Sequence, residues 1–240
     1  MLVAAAVCPH PPLLVPDLAA GAAAELDGLR AACDAAVASV LATEVDLLVV
    51  LGDAPADGPF PSGAWGSLAP YGPASQPRSC NGGLDGEPAS LPLSLTIGRW
   101  LLDRQESGPA DPLLFGVSAS ADAARCQSLG ATLANRAPRV AMLVMGDASA
   151  RRSLKGPGYL DERAAAYDGA VGRALAAADT SDLLTLDLAL SAELLVAGRA
   201  AWQVLAGAAE AGSWSGAVTF DEAPYGVTYL VATWTLATTA

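Results

Sequence analysis

Four short aliphatic runs constrain this chain more than any other feature: LVAAAV (residues 2–7), VDLLVVLG (45–52), PLLFGVS (112–118) and RVAMLVMGD (139–147). Each lacks the polar alternation of a strand with one wet face, so each predicts a strand buried on both faces. Amphipathic helical stretches lie between them, from about Ala22 to Leu41, Leu93 to Arg104 and Ala121 to Asn135. That alternation predicts βα units and a three-layer α/β fold, with a mostly parallel central sheet flanked by helices. The chain reads as mainly helical from Asp161 to Ala211, and AVTF (217–220) and VTYLVATW (227–234) read as closing strands.

The 240 residues, 52% hydrophobic and 16% charged, are enough for one domain spanning the whole chain with a substantial core. Residues 53–91 are rich in Gly, Pro and Ser and too long for an ordinary βα connection, which predicts a lid over a site or an insertion. A net charge of −12 repels phosphate backbones and anionic lipid, so neither nucleic acid nor membrane is the expected partner. The four cysteines, Cys8, Cys33, Cys80 and Cys126, are widely spaced with no C-x-x-C pair, which fits reduced thiols in a cytoplasm. The apolar start has no basic leader and is broken by prolines, unlike a signal peptide or spanning helix.

In an open α/β sheet the binding crevice lies beyond the carboxyl ends of the strands, so the residues after each run are the candidates. The first run delivers Cys8 and the single histidine, His10, set between Pro9 and Pro11. The second delivers Gly52 and Asp53, the third Ser118, and the fourth Gly146, Asp147 and Ser149; Asp221 and Glu222 join them if the last strands return along the same rim. An imidazole converging with carboxylates suits a divalent transition metal, and the prolines would reduce the entropy lost in placing His10. The plainer alternative is a stiff strand exit with His10 hydrogen-bonded to backbone. Arg151, Arg152 and Lys155 form a basic cluster that either receives a carboxylate or phosphate or sits on a solvated turn paired with neighbouring acids. There is no G-x-G-x-x-G after a strand and no P-loop, and the only base available to Ser118 in GVSAS is His10, so nucleotide sites and a Ser-His-Asp hydrolase are not expected.

Four stretches in order, PHPP after the first strand, LVVLGD, MLVMGDAS followed by GPGYLDERAAAYDGAV, and DEAPYGVTYLVATW, resemble the catalytic domain of the class III extradiol ring-cleavage dioxygenase superfamily, which includes Memo-like proteins. The likeness is greatest to alanine-rich actinobacterial members with no assigned reaction. It implies the extradiol dioxygenase-like α/β fold and a common tendency to dimerise. Active members hold Fe(II) through two histidines and a glutamate, with a further histidine as acid or base. By that resemblance His10 matches the first ligand and Glu222 the carboxylate, Asp53 stands where the second histidine belongs, and Ala150 stands at the acid–base histidine. One histidine cannot supply those roles, and losing the base alone removes about 10²–10⁴-fold. Standard catechol cleavage is therefore not expected. The expectations are a catalytically degenerate member binding a small molecule or a partner protein in the ancestral pocket, a divergent metalloenzyme holding Fe, Mn or Zn on His10, Asp53 and Glu222, or, with no metal, a structural or assembly role as one half of a complex whose partner carries the active site. Cys8, Asp147, Ser149, Arg151, Arg152 and Lys155 are the expected pocket residues.

Overall fold

A computed structural model describes residues 1–72, 90–105 and 111–237. The strands are β1 (Leu2–Cys8), β2 (Leu47–Ala54), β3 (Gly58–Pro59), β4 (Trp65–Gly66), β5 (Ser90–Leu91), β6 (Leu113–Ser118), β7 (Val140–Met145), β8 (Trp214–Glu222) and β9 (Tyr229–Leu236). The helices are α1 (Pro16–Ala19), α2 (Asp27–Leu41), α3 (Leu93–Asp103), α4 (Ala123–Ala134), α5 (Arg163–Ala177), α6 (Thr180–Leu184), α7 (Leu188–Glu193) and α8 (Arg199–Ala209).

Seven strands form one sheet in the order β3-β6-β2-β7-β1-β9-β8. The four aliphatic runs are its parallel centre, β6-β2-β7-β1, as their double-sided burial requires. The remaining pairings, β3 with β6, β1 with β9 and β9 with β8, are antiparallel, so the sheet is mixed rather than mostly parallel. Two reversals return β8 to the direction of β1, and its carboxyl end shares the rim of β1, β2, β6 and β7. β8 and β9 run antiparallel because they are joined by a short 3₁₀ turn at Pro224–Gly226, which reverses the chain without a crossover helix.

Alternate side chains of the central strands feed two cores. Val49, Leu51, Val140, Met142 and Val144 pack under α4, α5 and α8 on one face. Leu48, Val50, Ala141, Leu143 and Met145 pack under α2 and α3 on the other. Helix starts follow from local chemistry: the side chains of Asp122, Asp179 and Asp187 cap α4, α6 and α7 by accepting from the backbone N–H groups of Arg125, Asp182 and Leu190. α4 and α8 cross so closely that a Cβ at Gly130 would overlap the Val204 carbonyl oxygen, and one at Gly207 the Gln127 carbonyl oxygen.

The segment expected as one long loop from 53 to 91 carries strands among its described residues. β2 runs on through Asp53 to Ala54, β3 adds to the sheet edge beside β6, and Trp65–Gly66 pairs with Ser90–Leu91. A lid over residues 73–89, and Cys80, lie outside the described residues. No helix among the described residues is long and apolar enough to cross a membrane.

Candidate functional site

The rim site is built where β1, β7 and β2 end side by side. The Gly146 N–H donates to the Cys8 carbonyl at 2.9 Å, which registers the exits of β1 and β7. Pro9, Pro11 and Pro12 then turn the chain into a 3₁₀ segment, Pro12–Leu14, and leave His10 at the bend. The His10 N–H donates to Asp147 Oδ1 at 2.7 Å. Its ring lies between two carboxylates, with Nε2 3.5 Å from Asp53 Oδ1 and Nδ1 3.8 Å from Asp147 Oδ1. The His10 and Asp147 side chains are 6% and 16% exposed, and Asp53 is 37% exposed, so Asp53 is the side of the site open to solvent. His10 Nδ1 is buried with no hydrogen-bond partner.

The surroundings account for the electrostatics. Burial pushes the Asp147 carboxyl above the ordinary range; the His10 ring and N–H oppose this, and the nearby Asp53 charge adds to it. Burial, and then Asp147, raise the Tyr229 phenol at the start of β9. Ser94, in the first turn of α3, donates its hydroxyl to the Asp53 carbonyl at 2.7 Å and fixes the end of β2. Gly52 is required there, since a Cβ would lie 2.5 Å from Ser94 Oγ. An imidazole held this way can exchange a proton at Nε2 or face a positive charge alongside Asp53.

The structure brings together His10, Asp53 and Asp147 and separates the other candidates. Glu222 is exposed at the end of β8, with β9 standing between it and β1. Among the described residues no three His, Cys, Asp or Glu side chains are arranged to hold a metal ion, so the His10, Asp53 and Glu222 triad is not assembled. Cys8 is fully buried in the core; its contact with the equally buried Cys33, reinforced by burial, pushes the Cys33 thiol well up. Cys8, Cys33 and Cys126 are free thiols. Ala150 is held by its N–H to the Leu194 carbonyl at 3.1 Å. Ser118 faces Ser120, and its N–H donates to Asp57 at 2.8 Å, away from His10.

Ser149 and Arg152 are occupied internally. Asp168, 2% exposed on α5, accepts from the Ser149 N–H at 2.9 Å, the Ser149 hydroxyl at 2.6 Å, the Thr228 hydroxyl at 2.6 Å and Arg152 at 3.1 Å. Of the two readings of the basic cluster, Arg152 follows the one that pairs it with a neighbouring acid. Lys155 is exposed on the following turn, and Arg151 lies against Gly158 with its Nε buried and without a partner. Asp168 and Thr228 were not among the candidates. Asp168 had a readable signal, since Ala164, Tyr167, Asp168 and Val171 are the buried stripe of α5, which puts one carboxylate on an apolar face. A separate cavity of about 250 Å³ lies near Met1, Ala134, Ala208, Glu210 and Trp214, at the opposite end of the strands.

No family model matches the chain, and no curated protein does. Among solved structures, an uncharacterized protein from Escherichia coli is similar over 97% of this chain and 99% of that one, with a TM-score of 0.56 and 12% sequence identity. That similarity establishes a shared fold and nothing about chemistry.

Proposed function

We propose that this protein is a divergent, catalytically degenerate member of the class III extradiol dioxygenase superfamily, with the fold of that superfamily's catalytic domain, and that it binds a small molecule at the rim formed by His10, Asp53 and Asp147. The observation that carries the reading is the buried His10 ring, unpartnered at Nδ1 and flanked by two carboxylates where three parallel strands end. Binding crevices form at this place in open α/β sheets, and an unpaired buried nitrogen marks a hydrogen bond left for something else to complete. The donors do not fit the iron centre implied by the family: there is one imidazole, Asp53 replaces the second, and Glu222 stands beyond β9. The resemblance to the family rests on the ordered stretches around His10, Asp53, Asp147 and Glu222.

The protein loaded anaerobically with Fe(II) is expected to give no yellow ring-fission product from catechol or protocatechuate on admission of oxygen. A clear product absorbance, lost in His10→Ala, would overturn the degenerate reading.

A second reading, a divergent metal-dependent oxidoreductase on a reduced site, draws on the 3.5 Å approach of His10 Nε2 to Asp53 Oδ1. It requires stoichiometric iron, manganese or zinc in protein purified without a histidine tag, with the metal lost in both His10→Ala and Asp53→Ala. The expected result is no stoichiometric metal in any of the three.

A further inference from the structure

We infer that the cavity at the amino ends of β1 and β8, beside the last turns of α4 and α8, binds an uncharged aromatic compound of one or two rings. This second site is separate from the rim and independent of the function proposed there. Its floor is buried, formed by Leu2, Ala134 and Ala208, and its lip is exposed at Glu210 and Ala211. Trp214, half-buried at the start of β8, is one wall. The space cannot close by collapse, because α4 and α8 are already in main-chain contact at Gly130 and Gly207. The side chains these helices bring to it are the methyl groups of Ala131, Ala134 and Ala208. A void with fixed apolar walls forfeits dispersion contacts that a ligand restores. At about 250 Å³ it exceeds the roughly 150 Å³ of an apolar cavity that takes up benzene, which leaves room for a fused pair of rings but not for a partner's helix.

The chemistry of the walls sets the ligand class. Trp214 Nε1 donates to the Ala209 carbonyl at 2.8 Å, and its ring lies 6.4 Å from that of the buried Trp234, so the indole is fixed before a ligand arrives. Both Glu210 oxygens accept from Gln127 Nε2, at 3.1 and 3.2 Å. The Met1 ammonium donates to the Ala137 and Pro138 carbonyls at 3.0 and 2.9 Å. The charged groups of the wall are thus engaged with the protein itself, while the exposed Asn135 amide is available at the lip to a ligand's edge. An anion is disfavoured, since α4 and α8 both end here with no basic side chain in the last turn and present the negative ends of their dipoles. A polyhydroxylated ligand would turn its hydroxyls toward methyl groups and lose their hydration. An uncharged ring needs no ionic partner, covers the alanine walls and packs against the Trp214 indole.

The test titrates the full chain with indole, indole-3-acetate and myo-inositol, read by calorimetry and thermal shift. Indole is expected to bind saturably with a dissociation constant on the order of 10⁻⁴ M, within reach of so small a ligand, and to raise the melting temperature. Indole-3-acetate is expected to bind about tenfold more weakly, and inositol to be inert. Ala131→Phe places a ring in the space; it should weaken indole binding about tenfold or more while leaving the unliganded melting temperature at or above that of wild type, as filling a void does. Ala211→Phe, on the exposed lip, is the second variant should Ala131→Phe fail to fold by circular dichroism. No saturable indole binding, or binding unchanged in the folded variant, would overturn the inference. Indole-3-acetate bound as tightly as indole would overturn the uncharged class. Indole binding lost in His10→Gln but kept in Ala131→Phe would move the ligand to the rim and overturn the cavity as its site. A dimer in sedimentation equilibrium that Ala131→Phe dissociates would give the cavity to a second copy of the chain instead.

Discussion

Gly207→Val is expected to destabilise the fold by about 3 kcal/mol or more, beyond the range of an ordinary surface change. α8 lies on α4 at a crossing where neither backbone leaves space for a side chain. A Cβ at Gly207 would overlap the Gln127 carbonyl oxygen, and a Cβ at Gly130 would overlap Val204 O and lie 2.6 Å from Ala208 N. The obstacles are main-chain atoms of rigid helices, which cannot rotate aside, so the helices must separate and lose packing over the β7 face of the sheet. Urea denaturation of Gly207→Val and Gly130→Val should show lowered midpoints with the slope kept. Gly21→Ala is the control: nothing lies within 4 Å of its Cβ, and its effect should stay within about 0.5 kcal/mol. Midpoints within error of wild type for both valine variants would show that the crossing yields more easily than its geometry indicates.

Asp168→Ala is expected to cost about 3 kcal/mol, the low end for breaking a buried charged network. The change strands the Ser149 N–H, the Ser149 and Thr228 hydroxyls and the Arg152 guanidinium. Arg152 is 31% exposed and can turn toward water, which limits the loss. Asp168→Asn keeps one carbonyl acceptor and should cost roughly half as much. The network also clamps the exit of β7: the Thr228 N–H donates to Ser149 O at 2.9 Å and the Ala148 N–H to Thr228 O at 3.0 Å, one residue from Asp147. A folded Asp168→Asn protein should therefore bind site ligands more weakly even though Asp168 does not touch them. An alanine variant within about 0.5 kcal/mol of wild type by urea denaturation would show that solvent replaces the lost bonds.

The parallel centre was legible in the sequence because strands covered on both faces must be continuously aliphatic, and residues following such strands fall on one rim. His10, Asp53 and Asp147 could be located that way. The position of Glu222 was not legible, because β8 continues past AVTF as far as Glu222, along an edge strand whose residues alternate toward solvent. The identity of the acid that pairs with Arg152 was hidden for another reason. Its partner Asp168 lies on a different element, and charge spacing along the chain carries no record of tertiary neighbours. The strands β3, β4 and β5, two residues each, are too short to show any period.

The placement of β1 has a consequence for how the chain assembles. Ala5 pairs with Met142 on one side and Trp234 on the other, so β1 completes its hydrogen bonding only when β9, more than two hundred residues later, arrives. Closing such distant pairings is slow, and a partly made chain holds an aliphatic strand with one open edge. Until β9 seals that edge of β1, the growing polypeptide passes through an interval in which self-association competes with completion of the sheet.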